Sequence, residues 1–369
     1  MLRARCASAP SGTLRGGAFR NTNDGGSMAI ASKQRDTEAT RAGFERWLTK
    51  RDGPCSVAKL SAPTSGLSSD TFFASVEFGG VVEERVLRLP PAGDGLFPEY
   101  DFAKQAQVQQ VLGELAFPVP SPVIHEPDAA WLGSPFLVMP RVAGHVLTAN
   151  PSYLTGGWLV DAPSALQGRL IDGFLTTLAQ LHRFEIEQFE FLAPSGGTGL
   201  AGEFARWSAY LDWASGDVAP PDYLTAAMDW CSKNRGDDEP RTAVCWGDVQ
   251  LANVVFAEDA SVAAVVDWEM CGLGPPEMDL GWFFALHSMT VATHGGDLPG
   301  FGTRETMIET YEAALGREVD DLRWYEAFAL VRSGSIMVRI ARLLAAQGVD
   351  DSWLTKGNPT QVALDALPT

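Results

Sequence analysis

The chain is short of basic charge. Its 28 lysines and arginines face 46 acidic residues, a net charge of −18 over 369 residues. Nucleic-acid binding needs a basic face, so no nucleic acid is expected as a partner, and an anionic membrane surface is excluded on the same ground. No uninterrupted apolar run reaches the ~18 residues that mark a membrane-spanning helix. Cysteine is sparse: Cys6, Cys55, Cys231, Cys245 and Cys271 show no C-x-x-C and no zinc spacing. An odd, scattered set points to reduced thiols and a cytoplasmic setting. Cys245 and Cys271 read as small buried apolar residues. No G-x-x-x-x-G-K-[ST] loop occurs, and no His/Asp cluster suited to metal-dependent hydrolysis. What is there is a composition 46% apolar and 20% charged, enough for a sizeable core in one large domain or two lobes.

Chemistry concentrates between Asp248 and Asp267, in D-V-Q-L-A-N-V-V-F-A-E-D-A-S-V-A-A-V-V-D. Asn253 to Ala257 and Val262 to Trp268 are apolar, β-branched runs around the turn cluster Glu258 to Ser261, a hairpin pattern. A turn centred on Ala260 places Asn253 and Asp267 opposite each other at the open end. Directly paired residues have Cβ atoms roughly 4.5–5.5 Å apart, so an amide oxygen and a carboxylate there can share a hard divalent cation. Asp248 lies on the short loop before the first strand, near the same point. One carboxylate for a hydroxyl and two oxygen ligands for Mg²⁺ make the set that phosphoryl transfer on the protein-kinase plan needs.

With D-W-E at 267–269 and G-x-P-x-x-D-L at 274–280, this pattern resembles the aminoglycoside phosphotransferase family, whose architecture is that of protein kinases. The resemblance runs roughly from residue 55 to 345. It implies an α+β, bilobal protein-kinase-like fold with a small antiparallel-sheet lobe and a larger helical lobe. It also implies ATP (or GTP) and Mg²⁺ as cofactors and a hydroxyl on a small molecule as acceptor. Asp248 would be the catalytic residue, and Asn253 and Asp267 the metal ligands. One departure stands out: the family carries His two residues before the catalytic Asp, and this chain carries Trp246.

The rest of the chain is read against that plan. Residues 1–36 form an unstructured tail, with Met28 as an alternative start and a transit-peptide-like composition over 1–27. Residues 37–139 form the nucleotide-binding lobe, 140–355 the catalytic and acceptor-binding lobe, and 356–369 a weakly ordered tail. Ser65, Gly66, Leu67, Ser68 and Ser69 lie in a turn between strands, where the family has its nucleotide loop. Such a turn can aim backbone N–H groups at a phosphate. Arg88, on the third strand, stands where kinases carry a phosphate-contacting Lys, and Gln105 where they carry its Glu partner. Met139 and Arg141 are expected to be nucleotide-binding, at the segment Pro140 to Gly144 that resembles the hinge whose backbone binds adenine. Glu269 and Asp279 are supporting residues, Asp279 as an acceptor for backbone N–H groups of the catalytic loop. His182 reads as structural. G-T-G-L-A-G at 197–202 matches G-x-G-x-x-G but follows no strand, so it is a loop opening an aromatic helix. The V-L-R-L-P-P and D-W-E-x-x-x-L-G-x-P segments resemble the branch of kinase-like domains fused to acyl-CoA dehydrogenases. The acceptor is therefore either aminoglycoside-like or hydroxyacyl-CoA-like. Gln105 and Trp246 also allow a second reading, a non-catalytic nucleotide-binding pseudokinase or scaffold.

Overall fold

Strand patterning and one helix on each face build the small lobe. The computed structural model describes residues 35–63, 68–148, 152–193, 199–236, 242–355 and 358–366. Helix α1 (Thr37–Asp52) is capped by Asp36, which accepts from the N–H groups of Glu38 and Ala39. Strands β1 (Ser56–Ser61), β2 (Asp70–Phe78) and β3 (Val81–Leu89) follow. Gly79 and Gly80 join the last two with φ of +55° and +91°, the left-handed pair that a tight hairpin turn requires. Helix α2 (Phe102–Glu114) starts on Asp101, whose side chain accepts from the Lys104 N–H at 2.8 Å. Strands β4 (Ile124–Glu126) and β5 (Phe136–Pro140) complete an antiparallel sheet of order β1-β2-β3-β5-β4.

Strand side chains alternate between faces, and β5 uses both. Phe136 and Val138 pack with Phe44, Trp47 and Leu48 of α1. Leu137 and Met139 pack with Phe102 and Ala106 of α2. That double burial is why the strand is a continuous apolar run. Arg35 bonds Asp70 at 2.7 Å and the Pro90 carbonyl at 2.7 Å. Arg35 and Asp36 therefore belong to the folded lobe; the remainder of the expected tail lies outside the described residues.

The larger lobe is helical. It contains β6 (His145–Val146), α3 (Ser164–His182), α4 (Leu200–Ser215), α5 (Asp222–Asn234), β7 (Ala243–Cys245), β8 (Val254–Phe256), β9 (Val262–Val265), β10 (Gly272–Gly274), α6 (Glu277–His294), α7 (Arg304–Leu315), α8 (Arg323–Ala345) and α9 (Pro359–Ala366). Helix α6 is buried all round from Glu277 to Ala285, as a central helix must be. Its Leu280 and Phe283 share a core with Phe174 of α3, Trp207 of α4 and Phe328 of α8. Helix α9 corrects the expectation of a weakly ordered tail. Buried Asn358 accepts the Thr360 N–H at 2.8 Å, and Thr360 packs against Gly334 of α8. Gly199 opens α4 as expected for the glycine-rich loop; residues 197–198 lie outside the described set. The expected α+β, bilobal architecture is what the chain adopts. Among the described residues, no helix is long and apolar enough to cross a membrane.

Candidate active site

Two small antiparallel sheets set up the site: β8 between β6 and β9, and β7 with β10. The β8–β9 hairpin turns on Asp259, not Ala260. The Ala257 N–H reaches Ser261 O, the Ala260 N–H reaches Ala257 O, and Ala260 is left-handed at φ +68°. This is a three-residue loop closed by a left-handed residue. A register shift between Val255 and Phe256 follows, so Val254 pairs with Val265, and the Val266 N–H bonds Asn253 O at 3.0 Å. Asn253 therefore faces Val266. The expected direct pairing of Asn253 with Asp267 does not form. Asp267 lies one residue beyond, at φ +67°.

The loop between β7 and β8 carries Asp248. Asp279 anchors it: its two carboxylate oxygens accept the N–H groups of Trp246 at 2.6 Å and Gly247 at 2.9 Å. Asp279 is held in turn by His182 Nε2 at 3.1 Å, and the Tyr311 hydroxyl lies 2.6 Å from His182 Nδ1. Gly247 has φ +90°, and a Cβ there would come within 2.2 Å of Met270 O; only glycine fits this crossing. Arg332 of α8 donates to Gly247 O at 2.9 Å and lies over the rings of Trp207 and Trp282. Burial lowers its pKa to about 10.

Three donors converge on the Asp248 carboxylate. Gln250 Nε2 and Trp282 Nε1 reach Oδ1 at 2.5 and 3.1 Å, and Asn253 Nδ2 reaches Oδ2 at 2.8 Å. Burial, with repulsion from Asp267, nevertheless pushes its pKa up to about 6. The hydrogen bonds and Arg332 oppose that rise.

Arg88 brings the sheet lobe to this cluster. It bonds Asp267 Oδ1 at 3.0 Å, lies 3.6 Å from Glu269, and donates to Ser69 Oγ at 3.2 and 3.1 Å. Gln105 Oε1 accepts from it at 3.5 Å. The neutral bond to Gln105 is thus long, and the charge of Arg88 is balanced by Asp267 and Glu269. Burial raises the Glu269 pKa well above its usual range, as do the charges of Asp267 and Asp248, while Arg88 and Ser68 oppose the rise.

Asp248, Asp267 and Glu269 are three neighbouring carboxylates, and among the described residues the cation that pairs within this group is Arg88, with Asp267 and Glu269. A divalent cation would relieve that excess. The Asn253 amide hydrogens both point to Asp248, at its Oδ2 and its backbone oxygen, which turns Asn253 Oδ1 away. Asn253 Oδ1 with the Asp267 carboxylate is an all-oxygen donor set of the kind hard cations take, so these residues fit Mg²⁺. His182, Cys245 and Asp279 also approach one another closely. Asp279 is already satisfied by three N–H donors, and burial raises the Cys245 thiol pKa well above its usual value. That group is structural.

The profile of the phosphotransferase enzyme family matches residues 59–328. The chain belongs to this family. Among solved structures, a putative aminoglycoside phosphotransferase from Ralstonia eutropha JMP134 is 21% identical, covers 88% of this chain and 93% of its own, and superposes with a TM-score of 0.61. A thermostable mutant of aminoglycoside phosphotransferase APH(4)-Ia, in ternary complex with AMP-PNP and hygromycin B, is 18% identical (88% and 97% covered, TM-score 0.55). At these identities the likeness is one of fold. Acyl-CoA dehydrogenase family member 11 from Pongo abelii is 26% identical over 85% of this chain, and that from Mus musculus 26% over 82%. The chain spans 38% and 39% of the length of those two proteins.

The candidate site gathers Asp248, Asn253, Asp267, Glu269, Arg88, Gln105, Ser68 and Ser69. Ser65, Gly66 and Leu67 lie outside the described residues. The hinge differs from expectation at Arg141. Its N–H is taken by Glu84 O at 2.9 Å, and its side chain lies over Phe73 at 4.3 Å. It is therefore not the free backbone donor expected for adenine. Met139 is buried and pairs with Val86 of β3. Three residues that contact the loop were not legible as such: Trp282, Gln250 and Arg332. Trp282 sits three residues after Asp279 on one helix, a spacing that puts both on one face. Nothing in the sequence near residue 332 points to residue 247.

The raised pKa of Asp248 predicts a pH dependence. A carboxyl acting as base must be ionised, so activity falls as pH drops through about 6. The profile of kcat/KM, which reports the free enzyme, is expected to show that acidic limb; a flat profile from pH 5 to 8 contradicts it.

Proposed function

We propose that this phosphotransferase moves the γ-phosphoryl group of ATP to a hydroxyl group of a small molecule. The observation that carries the reading is the Asp248 carboxylate. It is fixed by three donors, one of them Asn253, which with Asp267 would supply the oxygen ligands. Asp248 orients and deprotonates the acceptor hydroxyl. Arg88 steadies the phosphates, joined by the turn that includes Ser68 and Ser69. Asn253 and Asp267 would hold Mg²⁺, which when bound supplies charge neutralisation on the phosphate oxygens. Positioning and charge stabilisation carry most of the effect in such transfers. GTP is the alternative donor, and the cytoplasm is the expected setting.

The reading as a non-catalytic nucleotide binder rested on Gln105 and Trp246. Gln105 still accepts from Arg88, and Trp246 bonds the strand end that carries Asp267. Neither departure dismantles the cluster, which supports the catalytic reading. Two acceptor classes stay in play: aminoglycoside-like, as in the hygromycin B complex of APH(4)-Ia, and hydroxyacyl-CoA-like, suggested by the name of the acyl-CoA dehydrogenase relatives. The test is transfer from γ-labelled ATP to members of both classes. A phosphomonoester formed by the wild type and lost in Asp248→Asn supports the proposal. A product whose yield is unchanged in that variant overturns it.

A further inference from the structure

Trp246 occupies the family's histidine position, and its surroundings give it a role. The buried indole donates from Nε1 to two successive carbonyls, Val266 O at 3.0 Å and Asp267 O at 3.1 Å. Those two carbonyls lie on either side of the Asp267 Cα, so one donor holding both restrains the φ and ψ of that residue together. Asp267 needs the restraint: its φ of +67° is a conformation that residues with a Cβ seldom adopt. The direction of its carboxylate follows from that turn. The bond from the Val266 N–H to Asn253 O at 3.0 Å fixes the approach to it.

We propose that Trp246 is a positioning residue for the metal-binding carboxylate of Asp267, its indole N–H setting both backbone torsions there. The same side chain ties the loop bearing Asp248 to the strand end bearing Asp267, so the hydroxyl-orienting and metal-binding carboxylates keep their relative placement. The inference rests on the function proposed above. Packing alone is separable from it. Trp268 is an equally buried indole, its ring 6.1 Å from that of Trp246, but its N–H stops at Val265.

The test compares the full-length wild type with Trp246→Phe and Trp268→Phe. Free Mn²⁺ is measured by EPR at saturating AMP-PNP, and each protein is melted without ligand. Both variants melt below the wild type, since each loses a buried indole. Trp246→Phe binds Mn²⁺ at least about tenfold more weakly, in the range that loss of a group supporting a metal ligand produces. Trp268→Phe binds Mn²⁺ with the affinity of the wild type. Equal weakening in the two variants, or none in Trp246→Phe, overturns the positioning role. Absence of nucleotide-dependent Mn²⁺ binding in the wild type removes the functional reading, and this inference with it. A measurement on the unmutated protein guards against a variant that does not fold. In the wild type, the Trp246 indole N–H resonance shifts when Mg²⁺ is added at constant AMP-PNP; an unmoved resonance counts against the role.

Discussion

Asp248→Asn is expected to keep nucleotide binding and lose transfer. A positioned general base contributes on the order of 10²–10⁴ in rate, so kcat should fall by about a thousandfold. The amide keeps the shape of the carboxylate. Its oxygen can still accept from Gln250 and Trp282, which reach the same Oδ1 in the wild type. Asp279 holds the loop through the backbone of Trp246 and Gly247, and Arg332 through Gly247 O; none of these bonds involves the Asp248 side chain. The loop therefore stays in place while the proton acceptor is gone; the Asn253 bond to Oδ2 is lost with it, and the Asn253 amide keeps its bond to the backbone oxygen of residue 248. Single-turnover kinetics beside equilibrium nucleotide binding separate the two effects. Loss of both together would mean that Asp248 is structural.

Arg88→Met carries the largest expected effect on stability. Arg88 is buried, and it is the cation bonded to Asp267 and facing Glu269. Removing one partner of a buried ion pair typically costs about 3–5 kcal/mol, because the other charge is left uncompensated. Asp267 is partly exposed, so the lower part of that range applies. The sign of the pH dependence follows from linkage. Glu269 already has a raised pKa, and Arg88 is a cause that lowers it. Without Arg88 its pKa rises further, and the folded state holds its proton to higher pH than the unfolded chain does. Stability then falls as pH rises from the unfolded carboxyl pKa toward the folded one. The deficit of the variant should therefore be larger at pH 8 than at pH 5, measured by denaturant unfolding at both. An equal or smaller deficit at pH 8 would show that the guanidinium does not balance these carboxylates.

That Asp248, Asn253 and Asp267 come together was legible because they stand in order around a hairpin, and the chemistry proposed for them is one that needs those residue types. Their mutual geometry was not. The pivot moved from Ala260 to Asp259 and the register shifted between Val255 and Phe256 because a left-handed alanine closes the turn; composition favours Gly or Asn for that role. The double burial of β5 was readable from an apolar run without alternation. Strand β4, three residues after prolines, was too short to show a period. Helix α9 was obscured by Gly357, Asn358 and Pro359, which read as loop but include the residues that start the helix. Trp246 was a departure in sequence, and its two hydrogen bonds to Val266 O and Asp267 O were not readable from it. Arg332 reaches Gly247 across 85 positions, a contact that only the packing of α8 creates.

The proposed nucleotide site is built on Asp267 and Asn253 with Mg²⁺. Its most direct test is the thermal stability of the wild type with ATP, with and without Mg²⁺, beside Asp267→Ala. Ligand at 100 times its Kd adds about 2.7 kcal/mol, which a melting curve resolves. The expected result is a rise that requires Mg²⁺ and vanishes in Asp267→Ala. No rise with any nucleotide, or a rise that survives in Asp267→Ala, would contradict it.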